Sequence, residues 1–193
     1  MVAVMSRTTW AKGIAENLLA DSLPRRWAHV QGVAGRARTL ALILEDDSEL
    51  IEVAAWLHDV GYAPSLVRTG FHPLDGARYL RDDVGADEVV CQLVAHHTAA
   101  AIEAEERGLG EELDEFARPA PRLLNALIYC DLTAGVDGST VDVDERLAEI
   151  LTRYPPEHVV HRSITRSAPL LRDAARSVYR TLAASRSVEM RGR

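Results

Sequence analysis

The sequence predicts an all-α chain, folded as a single-domain helical bundle. Three observations predict it. Apolar residues recur at helical spacing in nearly every apolar segment. No stretch alternates apolar and polar residues as a half-buried strand would. The composition, 47% apolar and 26% charged over 193 residues, is that of a globular chain, long enough to bury roughly 70% of its unfolded surface without disulfide or metal staples. There is no internal repeat and no low-complexity tract.

The elements follow in order. Val30, Val33, Ala34, Ala37, Leu40, Ala41 and Leu44 keep the i, i+3, i+4, i+7 pattern and predict a helix from about Pro24 to Leu44, ended by the acidic run Glu45, Asp46, Asp47. Ser48 is a good N-cap for the next helix. The stretch Leu50 to His58 is apolar on nearly all sides, so it predicts a central buried helix, with Gly61 able to supply a left-handed residue after it. Pro73 suits a first helical position and opens a helix to about Arg81. Ala86 to about Glu106 reads as one helix. Glu111 to Pro121 is a polar connector, Arg122 to Thr133 an apolar helix, and Asp144 to Arg153 an amphipathic one. Pro155 and Pro156 are a hard break. A last helix runs from about Glu157 to Ala184, with a kink or a split expected at Pro169. Residues 1–8 and 186–193 read as frayed ends. The expected total is six to eight helices.

Charge and cysteine content narrow the function classes. Lys and Arg number 22 against 29 Asp and Glu, a formal net charge of −7. That balance argues against a general nucleic-acid binder and against a membrane-surface binder. No run of about 18 apolar residues exists to span a membrane. The N-terminus does not read as a secretory signal. Two cysteines, Cys91 and Cys130, make no disulfide framework and fit a reducing cytosol, so a cytoplasmic location is expected.

The informative residues are polar ones on apolar stripes. Asp131 follows Leu124, Leu127 and Ile128 at i+7, i+4 and i+3, which puts a carboxylate on a buried face. Such a group costs several kcal/mol unless it is paired, hydrogen-bonded or bound to a metal. His58 and Asp59 close the buried helix, and at a helix end both side chains can turn to one ion. His29 edges the stripe of its helix, four residues before Val33, and His72 stands at a helix entrance. His96 follows Val89 by seven and His97 follows Val90 by seven, so one of the two should face inward. His158 and His161 read as surface or packing residues. Singly, each has an ordinary explanation as a cap, a core histidine or an ion pair. Together His29, His58, Asp59, His72, His96 and Asp131 lie on or beside the inward face of different elements. Five or six ligands exceed the need of one tetrahedral zinc and suit one octahedral ion, or two ions roughly 3.5–4 Å apart.

On these residues the sequence resembles the HD-domain superfamily of metal-dependent phosphohydrolases. The resemblance rests on His29 in PRRWAHVQGVAGRARTLA, His58-Asp59 in AAWLHDVGYAP and Asp131 in ALIYCDLTAG, and it covers about Trp27 to Gly135. It implies one HD-type domain over residues 1–193, with a core at about 24–135 and C-terminal helices at 144–184. It also implies that His29, His58, Asp59 and Asp131 bind a divalent metal. FHPLDGARYL resembles the segment by which two-metal branches supply a second-ion ligand, here His72. LVAHH would supply another, assigned to His96 with His97 as the adjacent alternative, and Asp59 would bridge. The cofactor is then one or two divalent ions, drawn from Mn, Fe, Mg, Co or Zn.

Several such branches carry a Lys shortly after the HD pair to hold substrate phosphate. Here the positions read Val60, Gly61, Tyr62, and no Lys follows Lys12. Arg25, Arg26, Arg68 and Arg78 are the candidates for substrate binding. The implied activity is hydrolysis of a phosphoester or phosphoanhydride by metal-activated water, on a nucleotide or small phosphorylated metabolite, with Asp59 and His97 as catalytic residues and His97 the proton donor to the leaving group. Two alternatives share the ligand set: an HD-type di-iron oxygenase, and a non-catalytic metal- or nucleotide-binding module. Homo-oligomerisation is left open, since the amphipathic 144–153 stretch and the last helix could pack internally or on a second subunit.

Overall fold

A computed structural model describes residues 5–191, and the side chains of residues 5–187. Among them the regular structure is helical, with one isolated bridge between Ala134 and Thr140. The all-α prediction holds. The helices are α1 (Arg7–Leu19), α2 (Pro24–Arg38), α3 (Ala41–Leu44), α4 (Ser48–Leu57), α5 (His72–Tyr79), α6 (Glu88–His96), α7 (Ala100–Arg107), α8 (Gly110–Leu113), α9 (Pro121–Leu132), α10 (Val143–Arg153) and α11 (Val159–Arg191). That is more than the six to eight expected, because two long predicted helices are divided and short ones are added.

α4 is the central element, packed by α1, α2, α6 and α9. Its Ile51, Val53, Ala54, Ala55, Trp56 and Leu57 are all buried, as an all-round apolar helix must be. Burial of a single side chain such as Leu57 contributes about 1.5–3 kcal/mol. A second apolar cluster, Ile128, Leu132, Leu147, Ile150, Ile164 and Leu171 among its members, joins α9 to α10 and α11. The site lies between these two cores.

The departures have local causes. α2 stops at Arg38 because Thr39 turns its hydroxyl onto the Arg36 carbonyl at 2.7 Å, and the chain restarts as α3. Ser48 is the first residue of α4 and does not cap it; a 3-10 turn over Glu45–Asp47 leads in. The predicted helix through residue 106 breaks at residues 97–99, where Thr98 and Ala99 have φ of 49° and 57°. α11 runs through Pro169 without dividing. Its apolar face, Ile164, Ala168, Leu171, Ala175 and Val178, is buried along its length, and that burial offsets the roughly 3 kcal/mol an internal proline costs. α1 precedes the first predicted element, and the side chain of Ser6 caps it by accepting from the Thr9 N–H at 3.2 Å. Residues 186–191, expected to fray, belong to α11; residues 1–4 and 192–193 lie outside the described part. No helix among the described residues is long and apolar enough to cross a membrane. Cys91 and Cys130 are free and buried.

Candidate metal centre

Four elements deliver the predicted residues to one place. α2 carries His29, the end of α4 carries His58 and Asp59, the start of α5 carries His72, and the last turn of α9 carries Asp131. The turn after the HD pair can lie against α5 only because two glycines meet there. A Cβ on Gly61 would stand 2.0 Å from the His72 carbonyl oxygen and 2.6 Å from the Gly76 nitrogen. Gly61 does not adopt a positive φ; close approach, not a left-handed turn, requires the glycine. The preceding loop is tied down by the buried carboxylate of Asp75, which accepts from the backbone N–H groups of Arg68, Thr69 and Gly70 at 3.0–3.2 Å.

Two ligand groups result. Nitrogens of His29 and His58 and an oxygen of Asp131 form the first; an oxygen of Asp59 with nitrogens of His72 and His97 forms the second; within each, the atoms lie within 4.8 Å of one another. Asp59 faces both. Its Oδ2 is 3.3 Å from His58 Nε2 and 3.8 Å from His29 Nε2, while its Oδ1 is 3.3 Å from His72 Nε2 and 3.8 Å from His97 Nε2.

The rings are oriented by their far nitrogens. Nδ1 of His29 donates to the Gly135 carbonyl at 3.0 Å, Nδ1 of His58 to Ala55 at 2.8 Å, and Nδ1 of His97 to Val94 at 2.6 Å. A carbonyl oxygen can only accept, so each Nδ1 holds a proton, and the neutral form of each ring turns its Nε2 lone pair inward. The Nε2 of His58 is fully buried with no hydrogen-bond partner. Nε2 of His29 faces Oδ1 of Asp131 at 3.0 Å, and Nε2 of His72 faces Nε2 of His97 at 3.1 Å. Between His29 Nε2 and Asp131 Oδ1, two lone pairs at this distance call for a cation, a proton or a metal ion, between them; His72 can donate its own Nε2–H to His97. Ligand atoms bonded at 2.0–2.1 Å and at right angles would be about 3 Å apart. The donor set, neutral imidazoles and carboxylates, suits Mn, Fe, Co or Zn. The residues fit a divalent metal.

The electrostatics agree. Burial opposes charge on Asp59, but Arg26 and then His58 hold it well below the usual carboxylate range. Burial likewise opposes charge on Asp131, but the hydrogen bond and charge of His29 pull it down; the Thr98 hydroxyl also donates to its Oδ2. Burial, with His72 and His58 nearby, pushes His97 down to about 3, and burial lowers His72 as well. At His58 the charges of Asp59 and Asp131 outweigh burial and raise the pKa.

One expected ligand lies elsewhere. His96 ends α6 and points away: its Nε2 donates to the Phe116 carbonyl at 2.8 Å. His97, extended at ψ 156°, enters the cluster in its place. The arginines also divide. Nη1 of Arg26 donates to Oδ2 of Asp59 at 2.8 Å, and its guanidinium lies 3.9 Å from the centre of the Tyr62 ring, which stacks on His72. Arg25 is exposed and lines an adjoining cavity of 390 Å³. Arg68 and Arg78 do not face the site. Asp75 fixes the Arg68 backbone so that its side chain projects into solvent, and Arg78 is drawn outward to Glu115. The sequence reading passed over Thr98 and two residues of α10, Arg146 and Arg153, which line the cavity over Asp59, His97 and Asp131. For α10 a signal was present: Arg146, Ile150, Arg153 and Tyr154 fall at i, i+4, i+7 and i+8, on one helix face.

The model of the HD domain family matches residues 26–132, more than half of the chain. The chain belongs to the HD domain family. The matched HD segment holds all six clustered side chains, His29, His58, Asp59, His72, His97 and Asp131, and leaves α10 and α11 outside it. The HD superfamily is one of all-α, metal-dependent phosphohydrolases. Ribonuclease Y of Acidothermus cellulolyticus, which has an HD domain, is 29% identical over 156 residues, covering 80% of this chain. The chain spans only 28% of that relative's length. No solved structure gives a significant match.

Proposed function

We propose that this protein hydrolyses a phosphoester or phosphoanhydride bond in a small phosphorylated molecule at a two-ion centre. The observation that carries the reading is the carboxylate of Asp59, with one oxygen toward each ligand group. His29, His58 and Asp131 would hold one ion, His72 and His97 the other, and Asp59 both. Such ions supply, when bound, a water acidified to near neutral pH and a Lewis acid for a phosphoryl oxygen.

The protein's own residues set the stage for that chemistry. Backbone carbonyls fix three imidazoles in the tautomer that ligates. Thr98, held in a left-handed conformation, fixes Asp131. Arg26 brings a permanent positive charge to the edge of Asp59, where equatorial phosphoryl oxygens gather negative charge. His97 serves as a ligand in this reading, not as the proton donor: its one proton is committed to Val94, and a group pushed down to about 3 has no second proton to give at neutral pH.

A relative named as a ribonuclease supports phosphoester chemistry. The surface favours a small substrate over a polynucleotide. Many exposed or half-exposed arginines are neutralised in place: Arg81 by Asp82 and Glu115, Arg122 by Asp47, Arg162 and Arg166 by Glu105 and Glu106, Arg172 by Asp144. They leave a surface of mixed sign rather than a basic track. The test pairs metal analysis with a panel of nucleotides and phosphoesters: phosphate release with Mn(II) is expected. Oxygen consumption with Fe(II) and no phosphate release would replace the hydrolase with an oxygenase.

A further inference from the structure

We propose that α10 provides the phosphate-binding subsite of this centre, with Arg146 and Arg153 holding the terminal phosphoryl group of a small phosphate monoester or anhydride. The proposal rests on the phosphohydrolase reading above and assigns recognition to a helix outside the family-matched segment.

Arg146 is the unusual residue. It is only 4% exposed, yet its Nε has no hydrogen-bond partner. An unmade hydrogen bond on a buried guanidinium is costly; the Nε itself is closed to solvent, and what an oxyanion in the cavity would meet is the guanidinium's charge at the wall. The residue lines the cavity that contains Asp59, His97 and Asp131, and also the 390 Å³ cavity beside it, so it stands between the two. Arg153, two turns on, lines both as well. Glu149 steadies the pair: it accepts from Arg146 Nη1 at 2.5 Å and from Arg153 Nη2 at 3.2 Å. One carboxylate against two guanidiniums leaves a net positive charge facing the site. Besides the clustered Asp59 and Asp131, the cavity is lined by one more acid, Glu103, which is matched by Arg107 at 2.7 Å.

α10 is built to hold this position. The side chain of Asp142 accepts from the Asp144 N–H at 2.7 Å within a capping box completed by Glu145, which fixes the start of the helix. At the other end, His161 Nδ1 donates to the Tyr154 carbonyl at 3.0 Å and ties the helix to α11. Leu147 and Ile150 anchor it in the second core.

The two cavities separate the parts of a substrate. The inner one, beside the ligands, measures 70 Å³. It has room for a phosphoryl-sized group. The outer one, at 390 Å³, has room for the organic remainder. A terminal phosphate can be placed this way, whereas an internal phosphodiester would need room for chain on both sides.

The experiment is titration calorimetry of inorganic phosphate into the Mn(II)-loaded chain, with metal content measured on the same samples. Wild type should bind phosphate. Arg146→Met and Arg153→Gln should each weaken binding about 10- to 100-fold, the worth of a hydrogen bond to a charged group, with metal content unchanged. Arg68→Ala, outside the site, should bind as wild type does. Unchanged phosphate affinity in the arginine variants overturns the α10 subsite and leaves the hydrolase reading standing. A metal-loaded wild type that neither binds phosphate nor releases it from any phosphoester overturns both. Should Arg146→Met fail the circular-dichroism check for folding, Arg153→Gln, on a side chain one-third exposed, decides alone: full affinity there overturns the proposal.

Discussion

Nη1 of Arg26 donates to Oδ2 of Asp59 at 2.8 Å, the same oxygen that faces His29 and His58. The charge of a buried carboxylate is thus met by a guanidinium that reaches in from the rim, 21% exposed at its side chain. A divalent ion bound by Asp59, His29 and His58 competes with Arg26 for that oxygen. Arg26→Gln should therefore tighten Mn(II) binding, by roughly tenfold for the loss of one adjacent positive charge. It should also lower turnover, because the same charge is lost to the substrate. Metal titration and steady-state rates on one preparation check the pair of effects, and weaker Mn(II) binding would count against competition.

The two carboxylates should differ in what their loss does to metal stoichiometry. Asp59 faces both ligand groups, whereas Asp131 belongs to one. Asp59→Asn should deplete both ions and abolish turnover. Asp131→Asn should deplete one. Asp59→Asn should also destabilise the fold by about 3–5 kcal/mol in chelator, since it strands the charge of Arg26 beside a neutral amide. Mass-spectrometric metal counting and urea unfolding read the two effects separately.

The adjacent histidines where α6 ends should separate cleanly. His97→Ala removes a clustered nitrogen and should lower metal content with little change in helicity. His96→Ala leaves the cluster intact and leaves the buried Phe116 carbonyl without its donor. That variant should keep its metal and lose about 1–3 kcal/mol of stability. Equal metal loss in both would contradict the placement.

That pair also marks where the sequence could be read and where it could not. The 3.6-residue period carried the inward faces of α2, α4 and α9, because a helix has only one stripe to bury, and so His29, His58 and Asp131 were legible. At His96 and His97 the period allowed either residue. Nothing local stops a helix there: Ala99, Ala100 and Ala101 are the best of helix formers. The break is tertiary. Thr98 gives up helical geometry to bond Asp131, thirty-three residues away, and the turn swings His97 inward. For the α10 arginines the period put Arg146 and Arg153 on the face of Ile150 but stopped short of the site. Arginines are usually solvent-facing, and a helix pattern does not show that Ile150 and Arg146 would be packed over a site formed by residues 29–131.

Acid should weaken the fold before the carboxylates titrate. Burial lowers the pKa of His72, His96 and His97, the last to about 3. For each, the unfolded chain takes up a proton near pH 6.5 and the folded chain does not. Their contribution to stability is full above pH 6.5 and is lost progressively as the pH falls toward the folded values. His58 runs the other way: raised by Asp59 and Asp131 against its burial, it adds stability below pH 6.5 and loses it as the pH rises through its folded value. Three groups oppose one, so the urea midpoint, measured with chelator throughout, should drop between pH 7 and pH 4.5. Below about pH 4 the drop should steepen, because Asp59 and Asp131, both lowered when folded, give up their contribution there. His97→Asn removes the most strongly lowered of the three imidazoles and should flatten the slope between pH 7 and pH 4.5. An unaltered slope in that variant would mean that the buried imidazole is not what the acid reads.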